Sequence, residues 1–417
     1  MKALPASGLD RAQLQEKLDE LRQGDLDWGF EDWLGRNFMF NMRAGDAVQE
    51  VAEAAYLQFF KTDALSSVAY PSIKAFQDDL LAYSTALFRG GDATLGTVTT
   101  GGTESIILAM KCARDWAREA RPGVKDPHVL CPRTAHPAFN KGAELLGLRV
   151  IRVPEGPDYR ADLEAMKVKI DDDTVMLVGS MPTYWHGACD QIPELGELAL
   201  AHDLWLHVDA CLGGFLAPFV RRTGRPVAPF DFSVPGVRSI SADLHKYGFT
   251  PKGASVVLFA DAEGARHRIF DWKDPYIHYA TPGLSGTRSG AAIAAAWAVM
   301  RFLGEEGYVD MARNTMQARD TVVDGIRSMG ELEIRGEAPL SIVSFGAREL
   351  DIKAVGGALQ ARGWLPNVWG GPPSLHLRML PSHVTFAGQF VEDLRAAVEQ
   401  VSRGERITAE HTGMYAD

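Results

Sequence analysis

Seven short apolar segments separated by helical patterns constrain this chain more than any other feature. They are LGTVTT (95–100), HVLCP (128–132), RVIRVP (149–154), TVMLVGSMP (174–182), LWLHVDA (204–210), VRSISAD (237–243) and ASVVLF (254–259). Between several of them lie ESIILAMKCARDWAREA, HPAFNKGAELLG and IPELGELALAHD, each with apolar residues at helical spacing. Strands that are apolar on both sides and joined by helices are buried on both faces. This predicts an α/β fold with a mostly parallel central sheet and helices on both faces. At 417 residues the chain has room for such a domain and a smaller companion. Residues 1–60 read as a helical segment, notably DAVQEVAEAAYLQFF, and 61–308 as the large domain, closing on the helical stretch SGAAIAAAWAVMRFLGEEG. Residues 309–417, with LSIVSFG, DIKAVGGALQARG, SLHLRML and FAGQFVEDLRAAVEQV, read as a smaller C-terminal α/β domain.

Charge narrows the partners. A net charge of −11 without a basic run argues against nucleic acid and anionic membrane surfaces. The longest nearly apolar run, GAAIAAAWAVM, is too short to span a bilayer, and the N-terminal stretch lacks the apolar core of a signal peptide, so no stable membrane insertion is expected. Cys112, Cys131, Cys189 and Cys211 form no CxxC pair and no zinc spacing. A reduced, cytoplasmic setting and no metal are expected.

The stretch SADLHKYGFTPKG (241–253) sets Lys246 between two segments that read as buried strands. An ammonium there loses hydration, so it must be paired, neutralised or chemically used. Ligands of open parallel sheets bind beyond the carboxyl ends of the strands, and four features follow such ends. GGTES (101–105) offers two glycines, the Thr103 hydroxyl and a helix N-terminus, which suit a phosphate; alone it is equally a strand–helix turn with a threonine cap. His136 follows HVLCP, Asp209 ends LWLHVD and Lys246 follows VRSISAD. Singly, the histidine reads as a helix-start residue and the aspartate as a backbone acceptor. Together the four fit pyridoxal 5′-phosphate (PLP). Lys246 would form an imine with its aldehyde, Asp209 would pair with its pyridine nitrogen, His136 would stack on its ring and GGTES would cradle its phosphate.

The segments VTTGGTESIILAMKCARDWA, TAHPAFNKGAELLGLRV, HVDACLGGFLAPF and SISADLHKYGFTPKGASVVLF resemble the sphingosine-1-phosphate lyases, which belong to the wider group of PLP-dependent decarboxylase-like enzymes of fold type I. The likeness runs from about Tyr70 to Val401. It implies a PLP-dependent transferase-like fold and a homodimer with active sites at the subunit interface. It also implies that Gly102, Thr103 and His245 contact the cofactor phosphate, with Thr287 reaching it from the neighbouring subunit. His186 in PTYWHGACD matches a family histidine beside the ring, and by its local pattern alone reads equally as a turn residue. Lys252 matches a lysine associated with the substrate phosphate, a role in which Tyr70 or Tyr247 would assist. Two stretches depart from the family: LSSVAYPS stands where the lyases carry HPD before an aromatic–Pro pair, and GTRSG stands for GSRPG.

The implied reaction on this small-molecule substrate is a retro-aldol cleavage to an aldehyde and phosphoethanolamine, with released Lys246 or His186 as base. Amino-acid decarboxylation, with Lys252 holding a carboxylate, is the rival. A non-catalytic phosphate- or nucleotide-binding protein is a third reading. GGTES matches neither GxGxxG nor GxxxxGK[ST], and that reading leaves Lys246 and Asp209 unexplained.

Overall fold

Alternate residues of the predicted strands enter two different cores in the computed structural model, which describes residues 4–23, 25, 33–39, 42–405 and 408. The final TGMYAD and parts of the 1–60 segment lie outside them. All seven predicted strands are present: β1 (Leu95–Thr99), β2 (His128–Pro132), β3 (Arg149–Val153), β4 (Thr174–Ser180), β5 (Trp205–Asp209), β6 (Val237–Ala242) and β7 (Ser255–Phe259). Leu206, Val208, Ile240, Val256 and Leu258 face one core; Val178, Trp205, Val257 and Phe259 face the other. This two-residue period buries both sheet faces, each fully buried aliphatic side chain contributing roughly 1.5–3 kcal/mol. The helix Gly102–Ala120 covers one face through Ile106 and Met110, and the helix Ile192–Ala201 covers the other through Ile192 and Leu195.

The strand order is β1-β7-β6-β5-β4-β2-β3. Only β7 runs against its neighbours. The reason is local: β6 reaches β7 through a segment without a helix, and parallel neighbours need a crossover. The other six strands therefore end on one edge. Register aligns Ser180 of β4 with Asp209 of β5, and Asp209 with Ser241 of β6.

A hairpin, β8 (Phe270–Lys273) and β9 (His278–Thr281), precedes the long helix Gly290–Arg327, which is broken at Gly304 (φ 57°). Beyond it, β10 (Leu332–Arg335), β11 (Ile342–Ala347), β12 (Asn367–Gly370) and β13 (Pro373–Arg378) form an antiparallel sheet in the order β10-β11-β13-β12. Its own core joins Phe345, Leu375 and Leu377 to Ile326 and Phe390 of the flanking helices. No described helix is long and apolar enough to cross a membrane.

Candidate active site

The carboxyl edge of the large sheet opens into a cavity of about 420 Å³ lined by Gly102, Thr103, His136, Asp209, His245 and Lys246, among others. They arrive from four strand ends, those of β1, β2, β5 and β6, as the sequence pattern requires. Asp209 is 7% exposed, and its Oδ1 accepts from the Cys211 N–H (3.1 Å) and the Ser241 hydroxyl (3.4 Å). A chain of donors stands behind it. Trp205 Nε1 donates to Ser239 Oγ (2.8 Å), Ser239 Oγ lies 2.8 Å from His207 Nδ1, and His207 Nε2 lies 3.2 Å from Ser241 Oγ. An indole N–H can only donate, so the protons of this chain point one way, toward the carboxylate. Burial pushes His207 down to about 4, which keeps it neutral in the chain.

Lys246 Nζ lies 2.9 Å from Oδ2 of Asp243, a buried carboxylate that also accepts from the Ser255 hydroxyl (2.6 Å). Burial opposes the lysine's charge, but the Asp243 carboxylate outweighs it and holds the pKa above its ordinary value. Burial likewise opposes the charge of Asp243, and Lys246 and His245 outweigh it, so its carboxyl group stays below the usual range. His136 accepts from the Ala138 N–H at 3.1 Å; its pKa is lowered by burial, with Lys246 adding and Asp209 opposing. A neutral, flat ring results.

The Gly101–Thr103 turn fits a phosphate. A Cβ at Gly102 would lie 2.8 Å from Cys211 Sγ and 2.9 Å from both Asp243 oxygens, so only glycine lets the backbone come this close to the cavity floor. The helix Gly102–Ala120 starts here without a side-chain cap, leaving first-turn N–H groups for an anion. His245 closes the cradle, its Cε1 3.7 Å from where a Gly101 Cβ would stand. A reactive amine, a carboxylate, a flat neutral ring and an anion cradle in one cavity form a donor set that fits PLP.

The remaining expected residues are placed differently. Lys252 lies outside the cavity lining and the residue as a whole is exposed, yet desolvation around its ammonium, then Arg378 and Lys246, push its pKa down to about 8. Tyr247 is 1% exposed and its hydroxyl donates to the Met379 carbonyl (2.7 Å), so it fastens the exit of β13 rather than facing the cavity. Tyr70 is half-buried, its hydroxyl 3.4 Å from the Lys61 carbonyl, and it too lies outside the lining. His186 lines a neighbouring cavity with Glu155, Trp185 and Trp369, and only Thr134 borders both. Burial lowers its pKa to about 4, and its Nδ1 has no partner among the described residues. Thr287 is exposed. The sequence reading missed Asp243, Arg378 and the chain behind Asp209. Asp243 had a signal, an acid at a buried strand end three residues before the lysine, and Arg378 had none.

Residues 72–348 match the pyridoxal-dependent decarboxylase conserved domain. The sphingosine-1-phosphate lyase of Arabidopsis thaliana is 36% identical over 406 residues, covering 95% of this chain and 74% of that protein. The sphingosine-1-phosphate lyase 1 of Rattus norvegicus is 36% identical over 422 residues, covering 100% and 72%. The solved sphingosine-1-phosphate lyase of Burkholderia pseudomallei superposes with a TM-score of 0.91 at 35% identity over 97% of this chain and 94% of that one. A Lactobacillus brevis glutamate decarboxylase, 18% identical with a TM-score of 0.83 over 98% and 96%, shares the fold.

Proposed function

This chain belongs to the sphingosine-1-phosphate lyases, within the pyridoxal-dependent decarboxylase family, and on that premise we propose that it is a PLP-dependent aldehyde-lyase acting on a phosphorylated long-chain amino alcohol such as sphingosine 1-phosphate. The observation that carries this reading is the cavity that gathers Lys246, Asp209 and His136 beside the Gly101–Thr103 turn. In the net reaction the bond between the amine carbon and the hydroxyl-bearing carbon breaks. The hydroxyl proton passes to a base, the long chain leaves as an aldehyde, and the amine carbon takes a proton and leaves as phosphoethanolamine. The bound cofactor supplies an electron sink for the pair released at the amine carbon.

The chain's own residues do the rest. Lys246 would hold the cofactor covalently through Nζ, the nitrogen that Asp243 positions. Of the two candidate bases, Lys246 shares the cavity with the substrate but must first give up the proton that Asp243 favours; His186, neutral but across Thr134, is the more distant one. Asp209, whose Oδ1 accepts from two donors, would pair with the pyridine nitrogen, and the uncharged His136 ring would stack on the cofactor ring. Gly102, Thr103 and His245 hold the cofactor phosphate. We read the working unit as a cytoplasmic homodimer in which Thr287 of one subunit completes the other's cradle. The exposed Phe270, Trp272, Tyr276 and Ile277 of the β8–β9 hairpin support this, being an apolar surface that a single chain would leave in water. The break at Gly304 and the separate core of the second sheet support a domain boundary near 308/309.

Incubation with sphingosine 1-phosphate, a panel of other amino alcohol phosphates and amino acids tests the reading by product analysis. Aldehyde and phosphoethanolamine are expected. Carbon dioxide from an amino acid, without aldehyde, would replace it with the decarboxylase.

Lys252 gives the reaction a pH signature. It attracts the substrate phosphate only while protonated, and its lowered pKa of about 8 means the charge is present below that pH and lost above it. kcat/KM should therefore fall as pH rises through about 8, mainly through KM. Lys252→Arg, charged throughout, should remove that limb. Lys252→Ala should raise KM about 10-fold at neutral pH, the scale of a lost charged hydrogen bond, with cofactor content retained. An unchanged KM in Lys252→Ala would discard the phosphate role.

A further inference from the structure

Arg378 closes β13 and carries the second sheet's only contribution to the lining of the cavity around Lys246. The residue is 5% exposed. Its Nη2 donates to the Met39 carbonyl at 2.6 Å, while its Nε is buried and has no hydrogen-bond partner among the described residues. A guanidinium has five donors in a planar fork and never gives up its charge, so a buried one with an idle N–H is built for an anion. No described carboxylate lies within ion-pair distance of Arg378 or Lys252, whereas Lys246 is answered by Asp243. Arg378 is also, after burial, the strongest influence lowering the pKa of Lys252, so the two cations lie near each other. The fastening of Tyr247 to the Met379 carbonyl, next to Arg378, sets this strand end against the lysine turn.

We propose that Arg378 and Lys252 together receive the phosphate arm of the substrate, the guanidinium binding two phosphate oxygens from inside the cavity and the ammonium a third from the rim. This rests on the lyase reading and deepens it. In a sphingoid phosphate the amine carbon bears two carbon arms, one ending in phosphate and one carrying the hydroxyl. Gripping the phosphate arm at two points restricts rotation about the amine carbon and keeps that arm out of the position of the bond to be broken, which leaves the hydroxyl arm and the C–H bond as the ones that can occupy it. The cofactor phosphate has its own candidate cradle at Gly101–Thr103, which comes from a different sheet than β13 and is built from backbone rather than cations.

The test is titration calorimetry of the cofactor-loaded protein with phosphoethanolamine and, as the phosphate-free control, ethanolamine. Arg378→Lys keeps a cation that can still reach the Met39 carbonyl, and Arg378→Gln removes the charge. Both should lower phosphoethanolamine affinity roughly 10- to 100-fold, the range for charged, bidentate contacts, with ethanolamine affinity and cofactor content unchanged. KM for sphingosine 1-phosphate should rise in step. Unchanged phosphoethanolamine affinity in both variants would overturn the proposal. So would a parallel loss of cofactor in Arg378→Lys, which would assign the guanidinium to the cofactor or to the fold. If the wild-type protein binds phosphoethanolamine in an Arg378-dependent way yet releases no aldehyde from sphingosine 1-phosphate, the anion subsite stands and the lyase reading alone falls.

Discussion

Lys246→Ala is expected to give a folded protein with no cofactor that borohydride can fix, and turnover lowered roughly 10³-fold or more. Proton transfer by a positioned side chain alone is typically worth 10²–10⁴, and this residue also makes the covalent hold. The substitution has a second consequence. Asp243 loses the ammonium 2.9 Å from its Oδ2 and is left, 3% exposed, with the Ser255 hydroxyl and the more distant His245. Its lowered pKa contributes stability at neutral pH that disappears as pH falls through the folded-state value. The variant should therefore be less stable than the parent at pH 7, and the gap should narrow in acid. Lys246→Arg separates the two roles: it can restore the ion pair, and with it the neutral-pH stability, without restoring borohydride fixation or turnover. Mass spectrometry after reduction decides the assignment. Cofactor still fixed to Lys246→Ala would mean that another amine, with Lys252 the nearest in sequence, is the attachment point.

The cofactor side of the site was legible because it is built from strand ends, and strand ends can be read. Apolar runs that stop at Asp209 or just before Lys246 mark a single edge of a sheet, whereas the pairing of Asp209 with Ser241 depends on a β5–β6 register that shifts between Leu206 and His207 and comes from the structure. The direction of β7 was legible in principle, since the segment between β6 and β7 lacks a helix. Residues flanking Lys246 were harder. Tyr247 follows it immediately, but the tight turn sends that ring into the core and its hydroxyl to the Met379 carbonyl. Spacing alone could not tell the two faces of an irregular turn apart. His186 failed for a related reason: it follows β4, yet the turn Pro182–Gly187 carries it around Thr134 into the adjoining cavity. Arg378 was out of reach, because it comes from a different sheet and only tertiary packing brings that sheet to the cavity. β10 and β12 were missed because four-residue strands carry too little periodicity to stand out.

Asp209→Asn should be the most damaging substitution that leaves the covalent hold intact. The asparagine matches the aspartate in size, so packing survives, but the environment dictates how it sits. The Cys211 N–H and the Ser241 hydroxyl both donate toward this side chain, and the Ser241 proton is directed there by His207, Ser239 and Trp205 in turn. The amide oxygen must therefore face those donors, and the amide N–H₂ must face the cavity. A donor then stands where the pyridine nitrogen requires an acceptor, and the ring loses its reason to stay protonated. A charge pair ~4 Å apart at an effective dielectric near 20 is worth about 4 kcal/mol, or three pKa units, part of which desolvation cancels. A fall in kcat of about 10²–10³ follows, with little change in KM, since the substrate phosphate is held elsewhere. Ser241→Ala tests the same logic more gently. It leaves the carboxylate but removes one donor and breaks the chain, so kcat should fall only about 10-fold, the scale of one hydrogen bond to a charged group, and the pH at which the cofactor's absorbance titrates should shift. A structural role alone would leave that titration in place. If instead Asp209→Asn keeps its kcat within a factor of about 3 of the parent, far less than the loss of such a charge pair allows, the carboxylate does not face the ring nitrogen, and the donor chain behind it serves only to satisfy buried polar groups.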